Sequence, residues 1–415
     1  MNQNKLIVAL ILLIFFVISF LTNILGPIIP DIIDSFTLSI GLAGFLPFSF
    51  FVAYAVMSIP SGILVEKYKE KKMLVLAFSL AFVGAILFAL IPGFSIALTS
   101  LFIIGIGMAI LQVVINPLLR TAGGEEHFAF NSVLGQLAFG AASFLSPMLY
   151  SYLVTHMHTD DVSVLFTFLN EMVPENLKWV SLYWVFAVIA FIMVIVVYLA
   201  RFPQVELKED EKIDIGVAFK DLLSNRIVIL YFLGIFCYVG TEQGIANWIS
   251  KFLQTYHGVD PSTTGATVIS YFWGLLTIGC LLGLLLLKFM DSRTVLIGFT
   301  SGAILALLIA LFGPVSWALV AFPLTGFFAS VMWSIIFSLA LNSVPQHHGT
   351  FSGILCTGIA GGAVVPLIVG GIAELIGLKL AMLFLLITLG YILSIGIWAK
   401  PLVSNATKSL KDMFR

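Results

Sequence analysis

Long apolar runs recur twelve times along the 415-residue chain, at residues 6–30, 38–65, 72–91, 95–119, 128–154, 180–201, 227–255, 262–288, 293–313, 316–342, 349–376 and 379–400. A helix crosses about 30 Å of hydrocarbon with roughly 20 predominantly apolar residues, so each run predicts a membrane span. The first run passes straight into Asp31 and Asp34 with no small-residue cleavage site, which marks a retained span rather than a signal peptide. Polar residues gather between the runs. The longest polar stretch, from Arg201 to Arg226, follows the sixth run and divides the chain into 1–202, a linker at 203–226, and 227–415. Within the linker, Val217 to Leu223 reads either as a short amphipathic helix on the inner surface or as plain solvated chain.

Composition fits the pattern. The chain is 60% hydrophobic and 10% charged, against about 45–50% and about 25% for soluble domains. A net charge of -1 offers no basic stripe for nucleic acid. Cys237, Cys280 and Cys356 are too few and too widely spaced for a disulfide framework or a zinc site. No metal site and no cofactor is expected.

Lys and Arg set the orientation. With the N-terminus inside, 17 of the 20 basic residues fall in inner loops and tails, leaving Lys178, Lys251 and Lys379 outside. This strong positive-inside bias predicts that both termini are cytoplasmic. The expectation is a multi-pass protein of the bacterial inner membrane.

The two halves repeat. Gly62, Lys67 and Tyr68 close the second run; Gly283, Lys288 and Phe289 close the eighth at the same spacing, 221 residues on. Pro147 and Pro366, in runs five and eleven, lie 219 residues apart, each after small residues. The expected fold class is therefore an all-α integral membrane protein, with 12 transmembrane helices in two six-helix bundles related by an internal repeat. Two like halves around a midplane site are the architecture of secondary transporters that work by alternating access. Fused halves of this kind function without a partner chain, so a monomer is expected.

The stretch from Pro60 to Lys72 resembles the loop between spans two and three of the major facilitator superfamily, with Glu66 in place of the usual Asp. The resemblance implies a cytoplasmic gate built from Gly62, Glu66, Lys67, Lys71 and Lys72, latching the two halves together. A closer likeness is to the fucose–galactose–glucose permeases, the fucose/H⁺ symporter family. It covers nearly the whole chain and is strongest in Pro60 to Leu74, in Gly107 to Gly124 with its Asn116-Pro117, in Phe128 to Ala141, and in Tyr238 to Trp248. That resemblance implies monosaccharide import across the inner membrane, usually driven by a cation. The chain departs from the family where an Asp and a Glu are usual: it has Gly26 and Gln112 there. Leu134 and Leu137 replace a Gln and an Asn, and Cys280 replaces an Arg.

Polar side chains at mid-depth are informative because an unpaired polar group in hydrocarbon costs several kcal/mol. Run seven carries the densest set: Tyr238, Thr241, Glu242, Gln243, Asn247 and Trp248. Glu242 is the one acid well inside any run. It is the candidate cation-coupling group for H⁺ or Na⁺; a hydrogen-bonded structural glutamate is the alternative. Gln112 and Asn116 share a face at i, i+4 in run four, although Asn116 equally suits repair of the helix at Pro117. Asn23 lies beside Gly26 and Pro27 in run one, and Gln136 shares a face with Gly140 and Ser143 in run five. Trp248, Trp273 and Trp333 are deep enough to cover the C–H faces of a sugar, or to pack in the core. Trp179, Trp184, Trp317 and Trp398 read as interfacial anchors.

This amide-rich set favours a polyhydroxyl small molecule, a sugar, as cargo. A proton-coupled efflux antiporter of a drug or metabolite, or an uncoupled sugar facilitator, keeps the same architecture. No His-Glu-x-x-His, Gly-x-Ser-x-Gly or phosphate-loop motif supports an enzyme.

Overall fold

The computed structural model describes residues 3–124, 128–159, 163–203, 217–344 and 348–402. Among the described residues, twelve helical spans are long and apolar enough to cross a membrane: Lys5–Phe36, Ile40–Val65, Glu70–Leu90, Phe94–Gly123, Asn131–His156, Glu175–Leu199, Arg226–His257, Pro261–Leu286, Ser292–Phe312, Val315–Leu341, Thr350–Ile376 and Leu378–Trp398. They are numbered one to twelve below.

Two spans run further than their apolar patterns suggest. Span one continues to Phe36, and Asp31 sits inside it because the buried Tyr150 hydroxyl donates to its carboxylate. An acid whose hydrogen bond is met can remain within an apolar run. Span six starts at Glu175 with a 3₁₀ segment through Val180. Trp179 in that segment is 2% exposed and so is no lipid-facing anchor. Its indole donates to Ser35 Oγ at 2.9 Å and packs on Phe36, Phe88 and Tyr183. Between the halves, Val217–Ser224 is helical with Leu222 buried, while 204–216 lies outside the described residues.

The packing itself repeats. In the first six spans, one packs on four and five, two on four, three on four and six; seven to twelve repeat these pairings with each number raised by six. The halves meet where span one crosses seven, five crosses eight, and two crosses eleven. Small residues make those crossings close. A Cβ on Gly26 of span one would collide with the Ala246 carbonyl of span seven, and one on Gly140 of span five with the Thr277 side chain of span eight. Helices in lipid gain most from such approach, since van der Waals contact replaces the hydrophobic drive.

Span one is interrupted at Asn23 and Ile24, between the helices Gln3–Thr22 and Leu25–Phe36. Pro27 has no N–H to give to Asn23, four residues earlier, so the hydrogen-bond ladder opens there. Span ten breaks similarly between Ala329 and Met332.

Candidate functional site

Between the halves lies a cavity of about 1250 Å³, lined by both bundles. It extends to Gly62, Val65, Lys69, Glu70 and Leu287 at one end of the protein. At the other end the halves are in contact. There the Gly41 N–H donates across the interface to Glu374 Oε1 at 3.1 Å, and the Gly44 position approaches the Leu367 backbone.

Glu242 stands midway along the 32-residue helix of span seven and faces the cavity. The Tyr238 hydroxyl donates to its Oε2, and the Gln243 amide donates to Oε1 at 3.1 Å. Behind Gln243, the Asn247 amide donates to Gln243 Oε1 at 3.4 Å. One helix thus supplies a carboxylate, its two donors, and a further amide that fixes the orientation of Gln243. Tyr238 also lies against Trp333, with ring centroids 6.1 Å apart, and Trp333 stacks on Phe337 at 5.8 Å.

The opposite wall is built from amides. Asn23 projects from the break in span one, and its amide donates to Ser143 Oγ at 2.9 Å. Ser19 Oγ lies 2.6 Å from both Ser143 Oγ and the Phe139 carbonyl oxygen, with Ser143 Oγ 3.1 Å from that carbonyl, and the two hydroxyl protons shared among these contacts pin spans one and five together. Gln112, Asn116 and Gln136 line the same cavity, and among the described residues none has a side-chain hydrogen-bond partner. Asn116 and Gln136 are exposed into it.

Nine of the eleven candidate binding residues therefore line one cavity: Asn23, Gln112, Asn116, Gln136, Tyr238, Glu242, Gln243, Trp273 and Trp333. Two do not. Asn247, 2% exposed, lies one turn behind Gln243 toward the closed end. Trp248 is fully buried, donates to the Pro366 carbonyl at 3.2 Å, and packs beside Gly370, where the halves meet. Both lie where helix packing has filled the space between the bundles. Trp273 is 3% exposed, and its indole Nε1 has no partner among the described residues.

Among the described residues, the ring contacts of the expected gate lysines stay within the first six spans. Gly62 lines the cavity mouth, but Lys67 lies over the Tyr68 ring at 5.2 Å and Lys71 over Tyr198 at 5.6 Å, both within the first six spans. Lys72 is exposed, and the side chain of Glu66 lies outside the described residues. Lys69 and Glu70 border the cavity instead. Sequence reasoning also passed over Tyr54, Thr277, Ser334 and Cys356, which line it. Thr277 and Ser334 carry a signal, as hydroxyls in the interior of apolar spans; Tyr54 and Cys356 carry none.

A mostly apolar cavity carrying amides and one carboxylate between repeated six-helix halves, open at one end and closed at the other, is the geometry of a carrier. The family described as the Major Facilitator Superfamily matches residues 11–366. The chain belongs to this superfamily. It is 31% identical over 395 residues to a glucose/galactose transporter of Brucella abortus, covering 93% of this chain and 92% of that protein. It is 26% identical over 392 residues to the L-fucose-proton symporter of Escherichia coli, covering 89% and 87%. Among solved structures, a variant of the E. coli fucose:proton symporter matches with a TM-score of 0.67 at 21% identity, covering 96% of this chain and all of that one. A bacterial homologue of the human lysosomal transporter Spinster, in an inward-facing occupied conformation, matches with a TM-score of 0.77 at 15% identity, covering 96% and 97%. This superfamily member is a multi-pass membrane transporter and not an enzyme.

Proposed function

We propose that this transporter imports a monosaccharide by alternating access, driven by a cation taken up at Glu242. The observation that carries the reading is the mid-depth carboxylate of Glu242, held by Tyr238 and Gln243 across a cavity from the amides Gln112, Asn116 and Gln136. A neutral, hydroxyl-rich ligand offers donors and acceptors to both walls, and Trp273 and Trp333 supply apolar surface for its C–H faces. The related glucose/galactose and fucose transporters support that cargo class. The positive-inside count supports assigning the open end to the cytoplasm, which makes this the inward-facing state.

In this reading, sugar and cation enter when the Glu374 end is open, the halves rock, and both leave through the end bordered by Lys69 and Glu70. Glu242 couples the two because the same carboxyl group meets the sugar charged when empty and neutralised when the cation is bound. The test is uptake of a panel of labelled hexoses, deoxyhexoses and amino sugars into proteoliposomes under an H⁺ gradient, an Na⁺ gradient, or neither. Saturable uptake of one sugar supports the cargo, and the gradient that raises it names the ion. Equal uptake under all three conditions overturns coupling, and no uptake by folded protein favours efflux of another cargo.

A further inference from the structure

A nine-residue helix, Val164–Met172, forms part of the connection between spans five and six. At about 100° per residue its side chains sort into three faces. Phe166 and Leu169, each 1% exposed, turn toward the protein. Phe166 meets the rings of Tyr152 and His156, with centroids 5.7 and 5.9 Å away. Thr167 and Glu171 form an exposed polar face, with Asn170 beside them accepting the His158 N–H at 2.9 Å. The third face is apolar and uncovered: Val164 is 87% exposed, Leu165 47%, Phe168 44% and Met172 46%. These four fall within an arc of about 100°, separate from the buried and the polar faces.

The surroundings indicate what covers that stripe. Phe168 meets Trp184 edge-on at 6.2 Å, on the near end of span six, and Tyr152 lies in the last turns of span five. Tyr and Trp at span ends mark the depth at which hydrocarbon gives way to headgroups. One and two turns beyond Trp184 on the same face of span six, Val188 and Phe191 face outward, both about half exposed. A buried face, a lipid-depth apolar face and a polar face on one short helix are the marks of an element lying in a membrane surface.

We propose that Val164–Met172 is an interfacial helix that seats Val164, Leu165, Phe168 and Met172 in the bilayer, on the side where the halves are closed. It carries no basic residue, so it engages lipid through apolar contact without preference for anionic headgroups. Because its ring contacts are to spans five and six of the first bundle, it holds that bundle at a fixed depth while the second moves.

The test uses single spin-labelled cysteines at positions 164, 165, 167, 168 and 171, in a chain with serine at the three native cysteines, reconstituted in phosphatidylcholine nanodiscs. Labels at 164, 165 and 168 are expected to collide mainly with oxygen, and those at 167 and 171 mainly with an aqueous nickel chelate. Chelate access at all five positions overturns the proposal. So does exclusion of both reagents together with spin–spin broadening, which would reveal a second copy on this face. On the unmodified chain, a photoactivatable phosphatidylcholine is expected to label residues 164–172 as well as Val188 and Phe191. Labelling of span six without the loop helix overturns the proposal independently.

Discussion

Asn247 lies behind the cavity wall, yet it determines what Gln243 presents to the cavity. By donating to Gln243 Oε1 at 3.4 Å, it leaves the Gln243 N–H turned toward Glu242 at 3.1 Å. An amide can point either end at a neighbour, and a carboxylate is met only by the donor end. With Tyr238 donating to the other oxygen, Glu242 is held in place from two sides by residues of its own helix.

Glu242→Gln is expected to abolish cation-driven accumulation while sparing exchange of sugar down its own gradient, because the neutral amide keeps the size of the group and loses its charge. Counterflow and gradient-driven uptake in the same proteoliposomes separate the two. Undiminished accumulation in the mutant would remove the carboxylate from coupling.

Gln112→Ala is expected to weaken binding of the transported sugar by about 1–3 kcal/mol, since ligand hydroxyls would lose a partner in a desolvated site. That corresponds to roughly five- to 150-fold in Kd. Isothermal titration with the sugar identified by uptake checks it, and wild-type affinity would place Gln112 outside the contact surface.

Trp273→Phe keeps an aromatic ring and deletes the indole N–H that has no partner among the described residues. We expect the chain to fold normally and to bind sugar more weakly by about 0.5–1.5 kcal/mol, the usual net value of one hydrogen bond. A loss of thermal stability at unchanged affinity would instead make Trp273 a packing residue.

Much of this was legible in the chain. Hydrocarbon imposes its thickness on every crossing helix, so the twelve spans stand out as apolar runs, and the repeat shows as Gly62, Lys67 and Tyr68 answered by Gly283, Lys288 and Phe289. Helical periodicity also indicates which residues share a face with Glu242. It does not indicate where along that face the cavity stops. Asn247 continues the neighbouring strip of Gln243 one turn too far, and Trp248 lies about 120° round the helix from Glu242, where Gly370 lets span eleven close over it. Likewise, Asp31 reads as the end of span one until Tyr150, distant in sequence, is seen to satisfy it.

Glu374→Ala removes the acceptor of the Gly41 N–H across the closed end. Hydrogen–deuterium exchange over residues 39–45 is expected to rise by about the tenfold that corresponds to about 1.4 kcal/mol. Unchanged exchange would show that helix packing alone keeps this end shut.

The two walls of the cavity differ in readiness. Tyr238, Glu242, Gln243 and Asn247 are already hydrogen-bonded to one another, whereas Gln112, Asn116 and Gln136 have no side-chain partner among the described residues. Ligand entry strips solvent from those three amides, and a cargo lacking matching hydroxyls leaves them with nothing in exchange. For the proposed sugar cargo, discrimination against poorly hydroxylated molecules would then arise as a penalty on the wrong guest rather than a reward for the right one, and such penalties reject analogues more sharply than apolar fit can.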